Sequence, residues 1–146
     1  MKATRALLVC LIVGALVALI APPLLAQNQA KELRVKLTYS GPGTVDTTHG
    51  IHVYVFDTPE INEGSMPIAM DSVYENGGEV TFNYITQSPV YLAATYGDFD
   101  PMSGPPPSGA PVALYKPGDV NMPTPIPMDK DKVAVEFTFD DSMKMP

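Results

Sequence analysis

The chain has 146 residues, of which 45% are hydrophobic, and a formal net charge of −7 at pH 7. This is the length of one domain with enough residues to bury a single core. The acidic excess is spread along the sequence and repels phosphate backbones, so we expect no nucleic-acid partner.

The N-terminal segment has the layout of a secretory signal. Lys2 and Arg5 provide a basic start, and residues 6–21 form an unbroken apolar stretch. Pro22-Pro23 ends that stretch, and Ala26 offers a small residue at which cleavage can occur. Charge, apolar core and small-residue exit in this order are typical of a signal peptide.

We predict that residues 1–26 are a signal peptide cleaved before Gln27. Residues 27–146 then form a single exported domain, periplasmic or extracellular. Retention of the segment is the alternative, because residues 6–26 are about long enough to cross a bilayer. The protein would then meet the membrane only through residues 6–26, with the domain still outside.

The only cysteine, Cys10, lies inside the apolar stretch of the signal. The mature domain therefore has no disulfide and no thiol chemistry. Small exported domains are often stabilised by disulfides. Because this one has no cysteine, its stability must come from its core.

Seven short runs with strand periodicity follow the signal. In chain order they cover residues 32–39, 51–56, 68–74, 79–85, 90–96, 112–115 and 133–139. Turn-forming residues separate them, and the mature chain has no helical periodicity of useful length. The pattern predicts an all-β fold, an antiparallel Greek-key sandwich of about seven strands.

The alternation within each run predicts which side chains face the core. In the third run we expect Ile68 and Met70 to point inward, and in the fourth Val80, Phe82 and Tyr84. The second run is apolar on both faces, so we expect another part of the chain to cover its second face.

The turn residues Asn76-Gly77-Gly78 tolerate positive φ, and they predict a tight hairpin between the third and fourth runs. Later in the chain, residues 97–111 and 117–128 are rich in proline and other turn formers. Regular strand pairing is hard to sustain in such segments.

The block from Gly78 to Asp100 has the order Gly-x-apolar-x-Phe, then an apolar residue, then Tyr-apolar-x-Ala and Asp-x-Asp. The residues concerned are Gly78, Val80, Phe82, Ile85, Tyr91, Ala94, Asp98 and Asp100. This order resembles the prealbumin-like sandwiches of carboxypeptidase regulatory domains and of many exported bacterial domains. The resemblance implies the sandwich fold but no chemistry, because the matching residues describe strands and turns.

Hydrolases of the transthyretin fold end in Tyr-Arg-Gly-Ser, whereas this chain ends in Asp-Ser-Met-Lys-Met-Pro. The absence of that motif counts against the activity of those hydrolases in this chain.

Three acids are weak candidates for a calcium site. Asp98 and Asp100 are two residues apart in a loop, and Asp119 is the next acid along the chain. Calcium takes six to eight oxygen ligands, so two acids by themselves are too few. The other interpretation is a solvated acidic turn, which we favour.

His49 and His52 form a His-x-x-His pattern, a candidate for a metal site. Residues three apart on a strand point to opposite faces, so the two imidazoles converge only if Gly50 turns the chain. We expect them to be neighbours in sequence alone.

Several methionines lie in predicted loops or in the C-terminal segment, namely Met102, Met122, Met128, Met143 and Met145. Thioethers suit Cu(I), which makes copper handling an open alternative. The sequence has no Met-x-x-Met cluster, and soft packing beneath the proline-rich loops is the interpretation we favour.

The proline-rich loops and the seven tyrosines offer a rigid binding surface. The other interpretation places most tyrosine rings in the core with their hydroxyls wet. No nucleophile with a base is recognisable, and no carboxylate pair stands out.

We therefore expect a non-enzymatic sandwich domain without a cofactor, with a structural or binding role in the cell envelope. Its partner would be an envelope protein or a glycan. The alternatives are a periplasmic protein that handles calcium or copper, and a hydrolase with an unrecognised carboxylate pair.

Overall fold

The computed structural model of this protein describes residues 29–118 and 121–146, so the predicted signal peptide lies outside the described residues. Seven strands form the fold: β1 (Lys31–Tyr39), β2 (Gly50–Phe56), β3 (Ala69–Val73), β4 (Glu79–Ile85), β5 (Tyr91–Gly97), β6 (Val112–Leu114) and β7 (Lys132–Phe139). The predicted all-β class and the seven strands are confirmed. No predicted strand bound differs from the observed one by more than one residue.

Within residues 29–118 and 121–146, no helix has the length and apolar character needed to cross a membrane.

The strands form two sheets. One has three strands in the order β4-β1-β7, and the other has four in the order β3-β2-β5-β6. The strand pairs are antiparallel except for β1 and β7, which run parallel in continuous register from Glu32↔Lys132 to Tyr39↔Phe139. The prediction of an antiparallel sandwich holds for the other strand pairs and was wrong for β1 and β7. Parallel neighbours need a long crossover, and here the other five strands supply it.

The two sheets share one core. Its fully buried side chains come from alternate positions of strands in both sheets, including Leu33, Val35 and Leu37 of β1, Ile51, Val53 and Val55 of β2, and Leu92 and Ala94 of β5. Phe137 and Phe139 of β7, in the three-stranded sheet, also belong to this core. In each of these strands one alternating face points to the core, because alternation at period two is a local property of a strand.

The predicted inward face of β3 was wrong by one residue. Ala69 packs against the core and Val73 is buried, whereas Ile68 is exposed and Met70 is half-buried on the opposite face. A shift of one residue moves every side chain of a strand to the other face.

The predicted inward face of β4 was wrong at one position. Val80 and Phe82 are buried as expected, but Tyr84 is 83% exposed and Ile85 is buried instead. The pairing of β4 with β1 shifts register here, and Tyr84 has a φ of 69°. An extra residue in a bulge of this kind reverses the alternation that follows it.

The predicted hairpin at Asn76 is also wrong, because β3 and β4 lie in different sheets. The turn instead docks on β1. The Asn76 side chain accepts a hydrogen bond from the Tyr39 N–H and donates one to the Tyr39 carbonyl, both at 2.8 Å. Gly77, at a φ of 84°, donates its N–H to the Leu37 carbonyl. The turn therefore carries the chain from one sheet to the other.

Candidate binding cleft

The outer face of β2 turns away from the core and is nevertheless buried. His52, Tyr54 and Phe56 on this face are 2%, 8% and 5% exposed. The expectation that another part of the chain covers this face is confirmed. One cover is Phe99, whose ring centroid lies 4.6 Å from that of His52.

A cleft of about 900 Å³ lies over the rest of this outer face. Strand register places Tyr54 opposite Met70 on one side and Ala93 on the other, and Thr95 opposite Val112. These residues form the floor of the cleft. Tyr54 and Thr95 are diagonal neighbours on it, since Tyr54 pairs with Ala93 and Thr95 lies two residues further along β5.

Three segments form the walls of the cleft: residues 61–67, residues 101–106 and residues 143–146. The last of these is held in place by backbone hydrogen bonds. The Val112 N–H donates to the Met143 carbonyl, and Met145 exchanges bonds with Gly109 and Ala110. The pairing extends the four-stranded sheet beyond β6 and fixes this wall relative to the floor.

Five methionines line this cleft: Met66, Met70, Met102, Met143 and Met145. Met66 and Met102 are 86% and 76% exposed and lie at its rim. Prolines from all three wall segments lie among them. The surface is thus apolar, with flexible thioether side chains that adapt to what they contact.

The expectation that the methionines pack beneath proline-rich loops holds for Met128, which is 4% exposed in the core. It does not hold for Met102 and Met143, whose exposed side chains line the cleft, or for Met122, which is 58% exposed.

Two hydroxyl groups at the floor are buried without a partner. Among the described residues, neither Tyr54 Oη nor Thr95 Oγ1 has a hydrogen-bond partner of acceptable geometry. Burial raises the pKa of the Tyr54 phenol, and a weak hydrogen-bonding contact with the Thr95 hydroxyl lowers it in part. The phenol is therefore protonated at neutral pH and can donate. Buried polar groups are nearly always paired, so two neighbouring exceptions beneath a cleft require an explanation.

The cleft carries little charge. Of the described residues that line it, only Glu63 and Lys144 have charged side chains, and Lys144 lies 3.6 Å from Asp141. A lone side-chain carboxylate does not make the acid pair that glycoside hydrolysis uses.

Two of the three candidate calcium residues, Asp98 and Asp100, lie in the loop after β5. The Asp100 carboxylate accepts hydrogen bonds from the Met102 N–H and the Ser103 hydroxyl, both at 2.9 Å, so its two oxygens stabilise a local turn. Asp98 is exposed, and Asp119 lies outside the described residues. Residues 29–118 and 121–146 contain no group of three or more His, Cys, Asp or Glu residues placed to hold a metal.

The two histidines do not come together. His49 lies before β2, is half-exposed, and pairs with Asp46 at 3.4 Å, while its ring stacks near that of Tyr96. His52 is on the outer face of β2, where its Nδ1 lies 2.7 Å from Ser72 Oγ. Gly50 continues the strand and does not turn it, so the His-x-x-His pattern is not a site in this fold.

The tyrosines divide between core and surface. Tyr39 and Tyr96 stack at 4.1 Å in the core, and Tyr96 donates its hydroxyl to the Thr44 carbonyl. Tyr74 and Tyr84 are exposed but lie outside the cleft. Among the tyrosines only Tyr54 lines the cleft, so they do not form the shared binding surface considered above.

Sequence reasoning missed the floor residues Tyr54 and Thr95 as a pair. One signal was present, namely the apolar second face of β2, which indicates that something packs on it. The pairing of β2 with β5 brings Thr95 beside Tyr54, and a strand's own sequence does not reveal its partner.

Comparisons with protein-family models, with curated proteins and with solved structures find no match to this chain.

Proposed function

We propose that this chain is an exported, non-enzymatic β-sandwich domain that binds a ligand in the cell envelope, and that the cleft is its binding site. The single observation that carries the proposal is the pair of partnerless hydroxyls, Tyr54 Oη and Thr95 Oγ1, at the floor of an apolar cleft. Small-molecule sites combine apolar walls with a few polar groups in a volume of about 300–1,000 Å³.

The prealbumin-like relationship is part of this proposal. It is supported by seven strands in two sheets and by the burial of Val80, Phe82, Ile85 and Ala94, which belong to the pattern that resembles that group. The Greek-key arrangement and the export of the domain belong to the same proposal.

A binding role is favoured over a purely structural one because of what the walls expose. Met66 and Met102 are large apolar side chains, more than three-quarters exposed, beside an apolar cavity. Contiguous exposed apolar surface on a monomer is typical of binding sites. A non-enzymatic role is favoured because, among the described residues, the cleft is lined by neither histidine nor cysteine and by one side-chain carboxylate, Glu63.

The test is the binding of a neutral fluorescent probe, N-phenyl-1-naphthylamine, to the mature domain. The chain has no tryptophan, so the background emission is low. Ala93 lies at the floor, and Ala93→Leu fills the cleft from below. We expect this variant to weaken binding by at least about tenfold, which corresponds to about 1.4 kcal/mol.

The matched control is Thr81→Leu, an added apolar side chain at an exposed position of β4 in the other sheet. It should leave probe affinity unchanged. Equal binding by wild type and Ala93→Leu, with both proteins folded by circular dichroism, would overturn the proposed site.

Copper handling is a second candidate, favoured by the five methionines that line one cleft. Thioethers select Cu(I) and its analogue Ag(I). The double substitution Met66→Leu and Met102→Leu keeps the apolar surface but removes two sulfur ligands. Loss of Ag(I) binding in native mass spectrometry with probe binding intact would favour the metal; no Ag(I) binding by wild type would exclude it.

A further inference from the structure

The floor of the cleft differs from its walls in chemistry. The walls offer methionine and proline, whereas the floor holds two hydroxyls, those of the diagonal neighbours Tyr54 on β2 and Thr95 on β5. The two residues are 8% and 3% exposed, and among the described residues neither oxygen makes a regular hydrogen bond, since the contact between the two hydroxyls is weak. A buried hydroxyl without a hydrogen bond is unfavourable, and it persists where function requires it.

We propose that the cleft binds an uncharged small molecule with an apolar body and one oxygen atom that accepts hydrogen bonds from Tyr54 and Thr95. This inference rests on the proposed function and names its ligand class. A carbonyl oxygen has two lone pairs and can accept from both hydroxyls at once.

The ligand is uncharged because the cleft offers no free counter-charge at its floor. Glu63 and Lys144 lie in the walls, with opposite signs, and Lys144 already faces Asp141. A charged ligand group at the floor would lose its hydration and gain only neutral hydroxyls, which is unfavourable in an apolar site. A neutral oxygen loses less hydration and recovers its hydrogen bonds.

Access to the two hydroxyls requires a side chain to move, because neither oxygen is open to solvent. Met70 lies directly opposite Tyr54 in the β2–β3 register and is half-buried. Its unbranched side chain rotates at little cost. In the proposed site the Met70 side chain, next to Tyr54 on the floor, rotates aside to admit the ligand oxygen.

The experiment uses prodan, an uncharged naphthalene dye with one carbonyl, whose emission shifts to longer wavelength when that carbonyl accepts hydrogen bonds. Tyr54→Phe and Thr95→Val remove the hydroxyls and keep the shapes. Wild type should bind prodan with long-wavelength emission. Each variant should weaken binding by about threefold to tenfold, as loss of one neutral hydrogen bond does, and shift the emission to shorter wavelength.

Stability measurements separate a ligand-binding role of the hydroxyls from a structural one. Removing a buried hydroxyl that has no partner should leave the Tm of the ligand-free protein unchanged or raised. A fall in Tm of several degrees in both variants would mean that the hydroxyls stabilise the fold, and it would overturn the inference. Unchanged prodan affinity and emission in the double variant would do the same.

Two further outcomes distinguish this inference from the proposed function. If Ala93→Leu blocks both probes but Tyr54→Phe and Thr95→Val change neither, the cleft is the site and the hydroxyl anchor is wrong. If Ala93→Leu affects neither probe, both proposals are wrong. Tighter binding of the sulfonated analogue 1-anilinonaphthalene-8-sulfonate than of prodan would overturn the uncharged ligand class.

Discussion

His52 is a buried histidine on the outer face of β2. Its Nε2 lies 3.4 Å from the Gly97 carbonyl, which can only accept, so Nε2 carries the proton and Nδ1 accepts the Ser72 hydroxyl. Burial lowers the pKa of His52, and the Gly97 carbonyl and Asp100 oppose part of that shift. The folded protein therefore favours the neutral imidazole.

This lowered pKa makes stability depend on pH. Between the folded pKa and the unfolded value of about 6.5, the unfolded chain binds more protons, so stability rises with pH across that interval. We expect the Tm to fall as the pH is lowered from 7 to 5. His52→Asn, which can keep a bond to Ser72, should remove most of this pH dependence.

His49→Asn is the control, because His49 is half-exposed and lies before β2. It should keep the wild-type fall in Tm. The pKa values of Asp46 and Asp140 are lowered by hydrogen bonds to their carboxylates, so their contributions to stability are lost only below about pH 5, outside the interval. A pH dependence that persists unchanged in His52→Asn would contradict this account.

At the scale of single elements, β4 shows how one bulge decides which side chains are buried. Phe82 is 6% exposed in the core, and Tyr84, two residues later, is 83% exposed. Regular alternation would place them on the same face. The register shift between β1 and β4 turns Tyr84 outward and brings Ile85 into the core.

Aromatic truncation in the core tests this arrangement. Phe82→Ala in β4 and Phe137→Ala in β7 should each lower the free energy of unfolding by about 3–5 kcal/mol, through lost burial and the cavity that remains. Tyr84→Ala is the matched control and should cost less than about 1 kcal/mol. Urea denaturation followed by circular dichroism measures all three; a large loss at Tyr84 with small losses at both phenylalanines would show that the opposite face is buried.

For the whole molecule, the position of β1 constrains when folding can be completed. β1 is the central strand of its sheet, between β4 and β7, and it begins at Lys31, a few residues after the predicted cleavage site. The parallel β1–β7 pair joins the first strand to the last, so this sheet is complete only when the last strand has been made. The domain is therefore expected to finish folding only after β7 has been synthesised.

Processing of the N-terminal segment is the corresponding prediction. The mature protein should begin at Gln27, because Ala26 provides the small residue that cleavage needs. Ala26→Leu should block cleavage, whereas Ala30→Leu, an exposed position just beyond the site, should not. Intact-mass measurement of the envelope fraction distinguishes these outcomes, and a wild-type mass that includes residues 1–26 would identify a membrane anchor instead.

The local sequence determined the strands themselves. Alternation of apolar and polar residues follows from strand geometry within one segment, so the bounds of β1, β4 and β7 and the burial of Val35 and Phe137 could be predicted. The apolar second face of β2 likewise predicted a cover, because exposed apolar residues on a strand favour packing.

Only the tertiary structure decided how the strands are paired and which residues form the cleft. Asn76-Gly77-Gly78 has the residues of a hairpin turn, yet it connects strands of different sheets. The Asn76 side chain forms its hydrogen bonds with the backbone of Tyr39 in β1. Tyr54 and Thr95 become neighbours only when β2 pairs with β5. A strand's pairing partner and its register depend on contacts between distant parts of the chain. Those contacts exist only in the assembled fold, so the sequence of a single segment does not reveal them.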